Sequence, residues 1–420
     1  MANQYEKKYL SNNPKFIKIV NSIYNTSVEV AAERVSSLVT QHKKSVEGET
    51  FLFSSPGRIE VIGNHTDHNF GQVLAASVSV DLLAAVTPLP FNKIIVRSIG
   101  YPEVEVNIED LKIKKQEIGD SAALVRGVAK GFVERGFKIG GFVATTTSDV
   151  FKGAGMSSSA AFEVLVSEIF NVFYNEGKID SIAKAIISQY AENVYFGKPS
   201  GLMDQSAISF GGISHIDFKD PHSPQVEKLD WPFSDVSVVV VNCGGDHTNL
   251  TPNYAAIRTE MEEVAACFGK EKLREIEKKD FYDSILHLSK KTSGRAILRA
   301  IHFFEENSRV EKVYLALKNA EEEKVFAGIN QSGDSSYRLL QNCYLEGDKT
   351  QPIPLALALA QRIDGLRAVR VHGGGFAGTV LAFVDKQKVE NFKTQMGEVF
   401  GPNNIYVLKI RNSGATKLDI

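Results

Sequence analysis

The chain reads as an α+β protein of two lobes, and three observations predict this. Helical and strand-like periodicities are mixed along the sequence without strict strand–helix alternation, which disfavours a parallel doubly wound sheet. At 420 residues there is chain enough for two or three domains. The 43% hydrophobic and 23% charged residues make up a chain that folds around a core, not a disordered one. The lobes are expected to meet between Gly211 and Asp230, giving domains of residues 1–215 and 216–420.

Residues 14–46 carry apolar positions at helical spacing (Phe16, Ile19, Val20, Ile23, then Val30, Ala31, Val35, Leu38, Val39), interrupted at 25–27. From Thr50 the period changes. Residues 51–53 and 59–62 look like strands separated by a turn at 54–57, and 73–87 is a further strand region. Residues 94–97 and 104–106 suggest a strand pair, 122–135 a helix, 141–147 a strand, and 160–176 and 181–195 helices. Residues 208–218 return to strand-like alternation around Gly211-Gly212, and 236–242 is a buried-strand candidate. Helices are expected at 254–268, 281–306 and on through 310–329. Strands at 367–371 and 379–384 flank a glycine cluster, a helix covers 386–398 and a last strand 404–409.

With 48 Lys plus Arg against 50 Asp plus Glu, the formal net charge is −2, so no global field attracts nucleic acid or anionic lipid. No apolar run approaches the roughly 18–20 residues of a bilayer span, and the first 16 residues lack an apolar core of signal-peptide length. Cys243, Cys267 and Cys343 are widely spaced and form no CxxC, which argues against a disulfide frame or a zinc site. The cytoplasm is the expected compartment.

Four segments carry chemistry. The first, PGRIEVIGNHTDHNFG from Pro56, runs a strand into Asn64, His65, Asp67, His68 and Asn69. That density of donors and acceptors suits a polyhydroxylated ligand, and equally a hydrogen-bonded surface turn. His65, Asp67 and His68 are also metal-ligand types, but no further ligand set stands out. The second is Lys152 followed by Gly153, Ala154, Gly155, Met156, Ser157, Ser158 and Ser159, between a strand and a helix. Glycines admit close approach of backbone N–H groups to an anion, and serines opening a helix add hydroxyls and the positive end of its dipole. A plain N-cap after a glycine turn has the same look. The third, Val371-His372-Gly373-Gly374-Gly375-Phe376-Ala377-Gly378-Thr379, is a tight hairpin or one of two loops holding a nucleotide. In the fourth, Glu192 ends a helix and Asp204 follows the Gly197–Gly201 turn. Glu192 suits Mg²⁺, and Asp204 suits removal of a proton from a hydroxyl.

Taken together in this order, the segments resemble the GHMP kinases, and among them the galactokinase family. The family's GRxNxIGEHTDYNxGxVLP stands here as GRIEVIGNHTDHNFGQVLA, its GGGLSSSAA as GAGMSSSAA, its GAGFGG as GGGFAG and its GIMDQ as GLMDQ. The resemblance spans about residues 50–410. It implies an N-terminal lobe like ribosomal protein S5 domain 2 and a ferredoxin-like C-terminal lobe. It also implies ATP at the serine loop and transfer of a phosphoryl group to the anomeric hydroxyl of a galactose-like sugar. Asp204 and Arg58 match the catalytic positions. Asn64, His65, Asp67, Gly201 and Tyr254 match the sugar-contacting positions, and Ser158 and Glu192 the Mg²⁺ ligands. The implied partners are a sugar and ATP, with no nucleic acid and no membrane, in a monomer or weak homodimer.

Three positions depart from the family pattern: Asn64 for a glutamate that binds the sugar's C6 hydroxyl, His68 for a tyrosine, and Ser121 for a tryptophan. Asn64 removes a carboxylate, so acidic sugars are expected to be tolerated better than by a glutamate-bearing relative. The alternative substrates are therefore galacturonate and N-acetylgalactosamine. A non-catalytic sugar and ATP sensor is the alternative outside enzymes.

Overall fold

β1 (Phe51–Ile62) and β2 (Gln72–Leu89) run antiparallel and form the spine of the first lobe. They belong to a computed structural model that describes residues 4–150, 155–244, 250–376 and 378–420. The turn expected at 54–57 is absent. β1 continues through Pro56 because β2 bulges instead: Pro56 pairs with Asp81 and Gly57 with Val78, leaving Ser79 and Val80 extra.

Around this pair are β3 (Lys93–Ser98), β4 (Val104–Asn107), β5 (Gly141–Ser148), β6 (Ile213–Asp217) and β7 (Gln225–Leu229). The sheet runs β12–β1–β2–β5–β3–β4, where β12 is Thr416–Leu418; β6 and then β7 extend from the other half of β2. β3–β5 is parallel and the other pairings are antiparallel. Both faces are covered, which is why β2 reads as a nearly unbroken apolar run. Phe53, Ala84 and Val86 pack under helices Ser121–Glu134, Ser158–Tyr174 and Ser181–Tyr190. Leu52, Leu83 and Ala85 point the other way, onto helices Pro14–Ile23 and Val28–Lys43.

The second sheet is antiparallel, ordered β11–β8–β10–β9, with β8 Val236–Gly244, β9 Leu366–His372, β10 Gly378–Asp385 and β11 Ile405–Leu408. Val239, Val241, Val380 and Ala382 face helices Pro352–Ala360 and Val389–Phe400. Val238, Val240, Leu381 and Phe383 join Ile59, Val61, Leu74 and Ala76 of the first lobe in one core. The lobes therefore share apolar packing directly behind the first motif.

The domain division expected at 215/216 cuts through β6. Sheet membership places the change between β7 and β8, and the C-terminal β12 returns to the first sheet. Within 208–218, the first residues close a helix, Met203–Phe210, and Gly211 (φ 72°) ends it before β6. The long helix expected over 281–306 is broken. Lys278–Asp283 and Ile285–Leu288 are short, and Ser293 caps a new helix, Gly294–Lys318. The helical region then breaks at Ala320 (φ 52°) before Glu322–Ser335. Among the described residues, no helix is long and apolar enough to cross a membrane.

Candidate active site

Arg58 lies on β1 where the strand passes beneath the serine loop. Its backbone N–H donates to Met156 O at 3.2 Å, its Nε donates to Asp204 Oδ1 at 2.7 Å, and its Nη1 donates to Gly155 O. Asp204 sits in the first turn of helix Met203–Phe210, and its other oxygen accepts from Ser157 Oγ. Burial pushes this carboxyl up. The Arg58 guanidinium, with the Ser157 hydroxyl and Lys198, outweighs that and holds it below the usual carboxylate range. Asp204 is thus an ionised acceptor beside the phosphate-loop candidate. Gly153 and Ala154 lie outside the described residues.

The remainder of that loop is built for close approach. Gly155 has φ 66°, and a Cβ there would stand 2.7 Å from Thr379 Oγ1. Met156 is buried, Ser157 adopts φ 61°, and helix Ser158–Tyr174 starts with no side-chain cap on its first amides. The two glycine-rich segments meet here: Gly155 faces His372 and Thr379. His372 Nε2 accepts from Glu60 N–H at 3.3 Å, so its Nδ1–H points to Thr379 Oγ1 at 3.2 Å. Burial, then Arg58 and Arg370, keep this imidazole neutral, well below its usual range.

Glu192 lies in a π-helical turn, Ala191–Phe196, a deformation frequent at functional sites. Gly127 lets helix Ser121–Glu134 close onto that turn, since a Cβ there would stand 2.8 Å from Ala191 Cα. The Glu192 carboxylate accepts from Ser159 Oγ at 2.8 Å, Lys198 Nζ at 2.7 Å, Ser200 Oγ at 2.6 Å and Gln205 Nε2 at 2.9 Å. The serine against Glu192 is thus Ser159, one residue along from the expected Ser158; side chains of successive residues at a helix start diverge by about a quarter turn. Behind Glu192, Glu163 Oε1 and Gln205 Oε1 are buried without a hydrogen-bond partner among the described residues. Burial and the neighbouring Glu192 charge push Glu163 well above the usual carboxylate range.

Asp67, in the 3₁₀ turn Asp67–Asn69, stands against Gly201, where a Cβ would overlap its carboxylate. Loss of water, then the Asp204 and Glu60 charges, push Asp67 up to about 7. His65 has both ring nitrogens engaged. Nε2–H donates to Gly374 O at 3.1 Å and Nδ1 accepts a hydrogen bond from His68 Nε2–H at 3.3 Å, while His68 Nδ1 accepts from Asn69 Nδ2 at 3.0 Å. Tyr254 covers Gly374 and donates its hydroxyl to Gly375 O at 3.0 Å.

Asn64 departs from its expected role. It is fully buried, and its amide donates to Glu60 Oε1 at 3.0 Å and Gly373 O at 2.8 Å. Its oxygen accepts from Asn342 Nδ2 at 2.8 Å and Ser336 Oγ at 3.2 Å, so no hydrogen-bonding capacity is left for a ligand. Arg370 Nη2 completes the cluster on Glu60 Oε1 at 2.7 Å. Asn64→Glu therefore places a second carboxylate beside Glu60 and loses two donors. The expected result is a loss of stability of about 3–5 kcal/mol in urea unfolding, as for a broken buried charge pair, with sugar choice unchanged.

The sequence did not single out Glu60, Glu163, Arg370 or Asn342. The first three share one signal: a charge flanked by apolar residues within a strand or helix, tolerated only with a buried partner.

Comparison with known proteins follows the same residues. The galactokinase galactose-binding signature matches residues 40–88, and the GHMP kinases N terminal domain matches 123–212. A galactokinase of Pyrococcus furiosus is 32% identical over 336 residues, covering 80% of this chain and 89% of that protein. A galactokinase of Clostridium tetani is 29% identical over 358 residues, covering 83% and 88%. The crystal structure of Lactococcus lactis galactokinase complexed with galactose superposes with a TM-score of 0.80 at 24% identity, over 92% of this chain and 100% of that one. That likeness establishes the two-lobed GHMP kinase fold.

Proposed function

The chain belongs to the galactokinase family, and from that premise we propose that it uses ATP to phosphorylate the C1 hydroxyl of galactose, giving galactose 1-phosphate and ADP. The observation that carries the reading is the Asp204 carboxylate, gripped by Arg58 and Ser157 at the mouth of the serine loop with Asp67 beside it.

In this mechanism the sugar O1 forms a bond to the γ-phosphorus as the bridging bond to ADP breaks, and the hydroxyl proton passes to Asp204 and on to solvent. Phosphoryl transfer has a loose transition state, so positioning and charge neutralisation supply most of the catalysis. Arg58 neutralises charge at the transferring group, and the amides opening helix Ser158–Tyr174 receive phosphate oxygens. Glu192 and Ser159 fit Mg²⁺: their donors are oxygens, and two unpartnered buried oxygens stand behind them. A Mg²⁺ held by these residues would supply positive charge to offset that of the ATP phosphates. Lys198 neutralises Glu192 otherwise. Asp67 accepts a hydrogen bond from a sugar hydroxyl, with Gly201 and Tyr254 shaping the space around the sugar.

Asp67 gives the site a pH dependence. Its acceptor form is ionised, and in the free protein it is protonated below about pH 7. At saturating ATP, kcat/KM for galactose is expected to fall towards about tenfold per unit as pH drops below 7, a limb that reports the form of the enzyme to which galactose binds. Asp67→Asn should lower kcat/KM and flatten that limb.

Enclosure of Asn64 takes away the physical basis for preferring galacturonate, and the intact Asp204–Arg58 pair supports turnover over sensing. Measurement of ADP release with galactose, galacturonate, N-acetylgalactosamine and glucose tests the reading. Galactose should show the highest kcat/KM. A higher value for another sugar overturns the substrate, and no release with any of them overturns the enzyme.

A further inference from the structure

A cavity of about 450 Å³ opens in the second lobe, lined by none of the catalytic or sugar-contacting residues described above. Its volume lies within the roughly 300–1,000 Å³ of small-molecule sites. Its walls come from the start of helix Thr251–Ala266 (Asn253), from helix Gly294–Lys318 (Arg295, Arg299), from the Gln341–Tyr344 segment and from Phe376.

Arg299 is 2% exposed. Its Nε donates to Leu340 O at 3.1 Å and its Nη1 to Glu260 Oε2 at 2.8 Å, while its Nη2 has no partner among the described residues. Arg295 donates through Nε and Nη2 to the same Glu260, and its Nη1 has no hydrogen-bond partner among the described residues. Glu260 pairs with both guanidinium groups and the exposed Glu346 carboxylate acts on Arg295 from the rim, while both arginines retain N–H donors beside the cavity, which suits a phosphate held at the Arg299 side. A bare anion leaves most of the space unfilled. Tyr344 and Phe376 offer ring surface for the C–H face of a sugar, while Asn253, Gln341 and the rim carboxylate of Glu346 offer planar polar groups for hydroxyls.

The cavity wall is also the back of the sugar loop. Phe376 stacks edge-on against Tyr254 with centroids 5.5 Å apart, and its N–H donates to Asn342 O at 2.5 Å. Asn342, next to Gln341, holds Asn64 at 2.8 Å, and Gly374 O holds His65. Gln341 and Phe376 both adopt left-handed φ, 59° and 61°, so this wall is strained and a ligand has a state to favour.

We propose that this cavity is a second ligand site, for a hexose phosphate, whose occupancy alters galactose affinity through Phe376, Tyr254 and Asn342. The coupling rests on the galactokinase reading; the binding does not. The test is calorimetric titration of galactose 1-phosphate and glucose 6-phosphate into the full chain at saturating galactose, with inorganic phosphate and adenosine monophosphate as controls. One equivalent of a hexose phosphate should bind. Arg295→Ala combined with Tyr344→Ala should weaken it at least about tenfold, while thermal unfolding stays cooperative and basal turnover is unchanged, since Arg299 still pairs with Glu260. Saturating glucose 6-phosphate should shift the galactose KM of the wild type by about fivefold or more, the lower end of usual coupling, and leave that of the double variant unmoved. Absence of glucose 6-phosphate binding, equal binding in the double variant, or binding of phosphate or adenosine monophosphate that is as tight and is likewise lost in the double variant overturns the site. An unmoved galactose KM overturns the coupling. Failure of galactose to turn over in the same preparation overturns the kinase reading instead, while the comparison of wild type with the double variant still reads the cavity.

Discussion

Asp204→Asn should lower kcat by about 10²–10⁴-fold, the usual worth of a general base, while galactose still binds. The amide keeps the size of the carboxylate and one oxygen for Arg58 Nε, now 2.7 Å from Asp204 Oδ1. It cannot take a proton from the sugar hydroxyl. It also removes the negative charge that balances Arg58, whose side chain is 7% exposed. Two readouts separate these effects. Galactose affinity measured without nucleotide above pH 7, where Asp67 is ionised with or without the Asp204 charge, should stay within a few-fold of wild type, because Asp67, Gly201 and Tyr254 keep their places. Single-turnover phosphorylation should carry the whole loss. A variant with wild-type kcat means that Asp204 is not the group that receives the proton.

Local pattern disclosed much of this molecule, and contacts between distant segments disclosed the rest. Strands such as 94–97, 141–147 and 236–242 were legible because their apolar runs are bounded by turn residues. The turn expected at 54–57 failed because Ser, Pro and Gly there satisfy a bulge carried by the partner strand, and one strand's sequence does not contain its partner's register. The return of β12 to β1 depends on pairing across more than 350 residues and has no local signature. Arg58 and Asp204, 146 residues apart, could be joined only through the family resemblance, and the structure joins them by a hydrogen bond. Asn64 shows the opposite case. Its place in the motif suggested an open sugar contact, whereas Glu60, Gly373, Ser336 and Asn342, drawn from both lobes, consume its amide. A motif fixes where a residue lies along the chain; which neighbours take its hydrogen bonds is settled by tertiary packing.

Gly155→Val should weaken ATP binding by about 10–100-fold, since one forbidden backbone conformation costs about 1–3 kcal/mol and 1.4 kcal/mol is a factor of ten. Two independent costs act at this position. Gly155 has φ 66°, which a β-branched residue hardly tolerates. Even at unchanged backbone, a Cβ would stand 2.7 Å from Thr379 Oγ1 and 3.2 Å from His372 Nδ1. Neither neighbour is free to yield: both are buried on paired strands, and they hydrogen-bond each other. The loop must move instead, and with it Gly155 O, which Arg58 Nη1 holds. The phosphate loop and the catalytic arginine are thereby displaced together, so kcat should fall along with ATP affinity. Galactose binding in the absence of nucleotide should change little, because Gly155 makes no contact with Asp67, Gly201 or Tyr254. Calorimetry with a non-hydrolysable ATP analogue and with galactose, on protein whose thermal unfolding remains cooperative, separates the two. If ATP affinity is unchanged in such a folded variant, the phosphates lie elsewhere than against Gly155–Ser159.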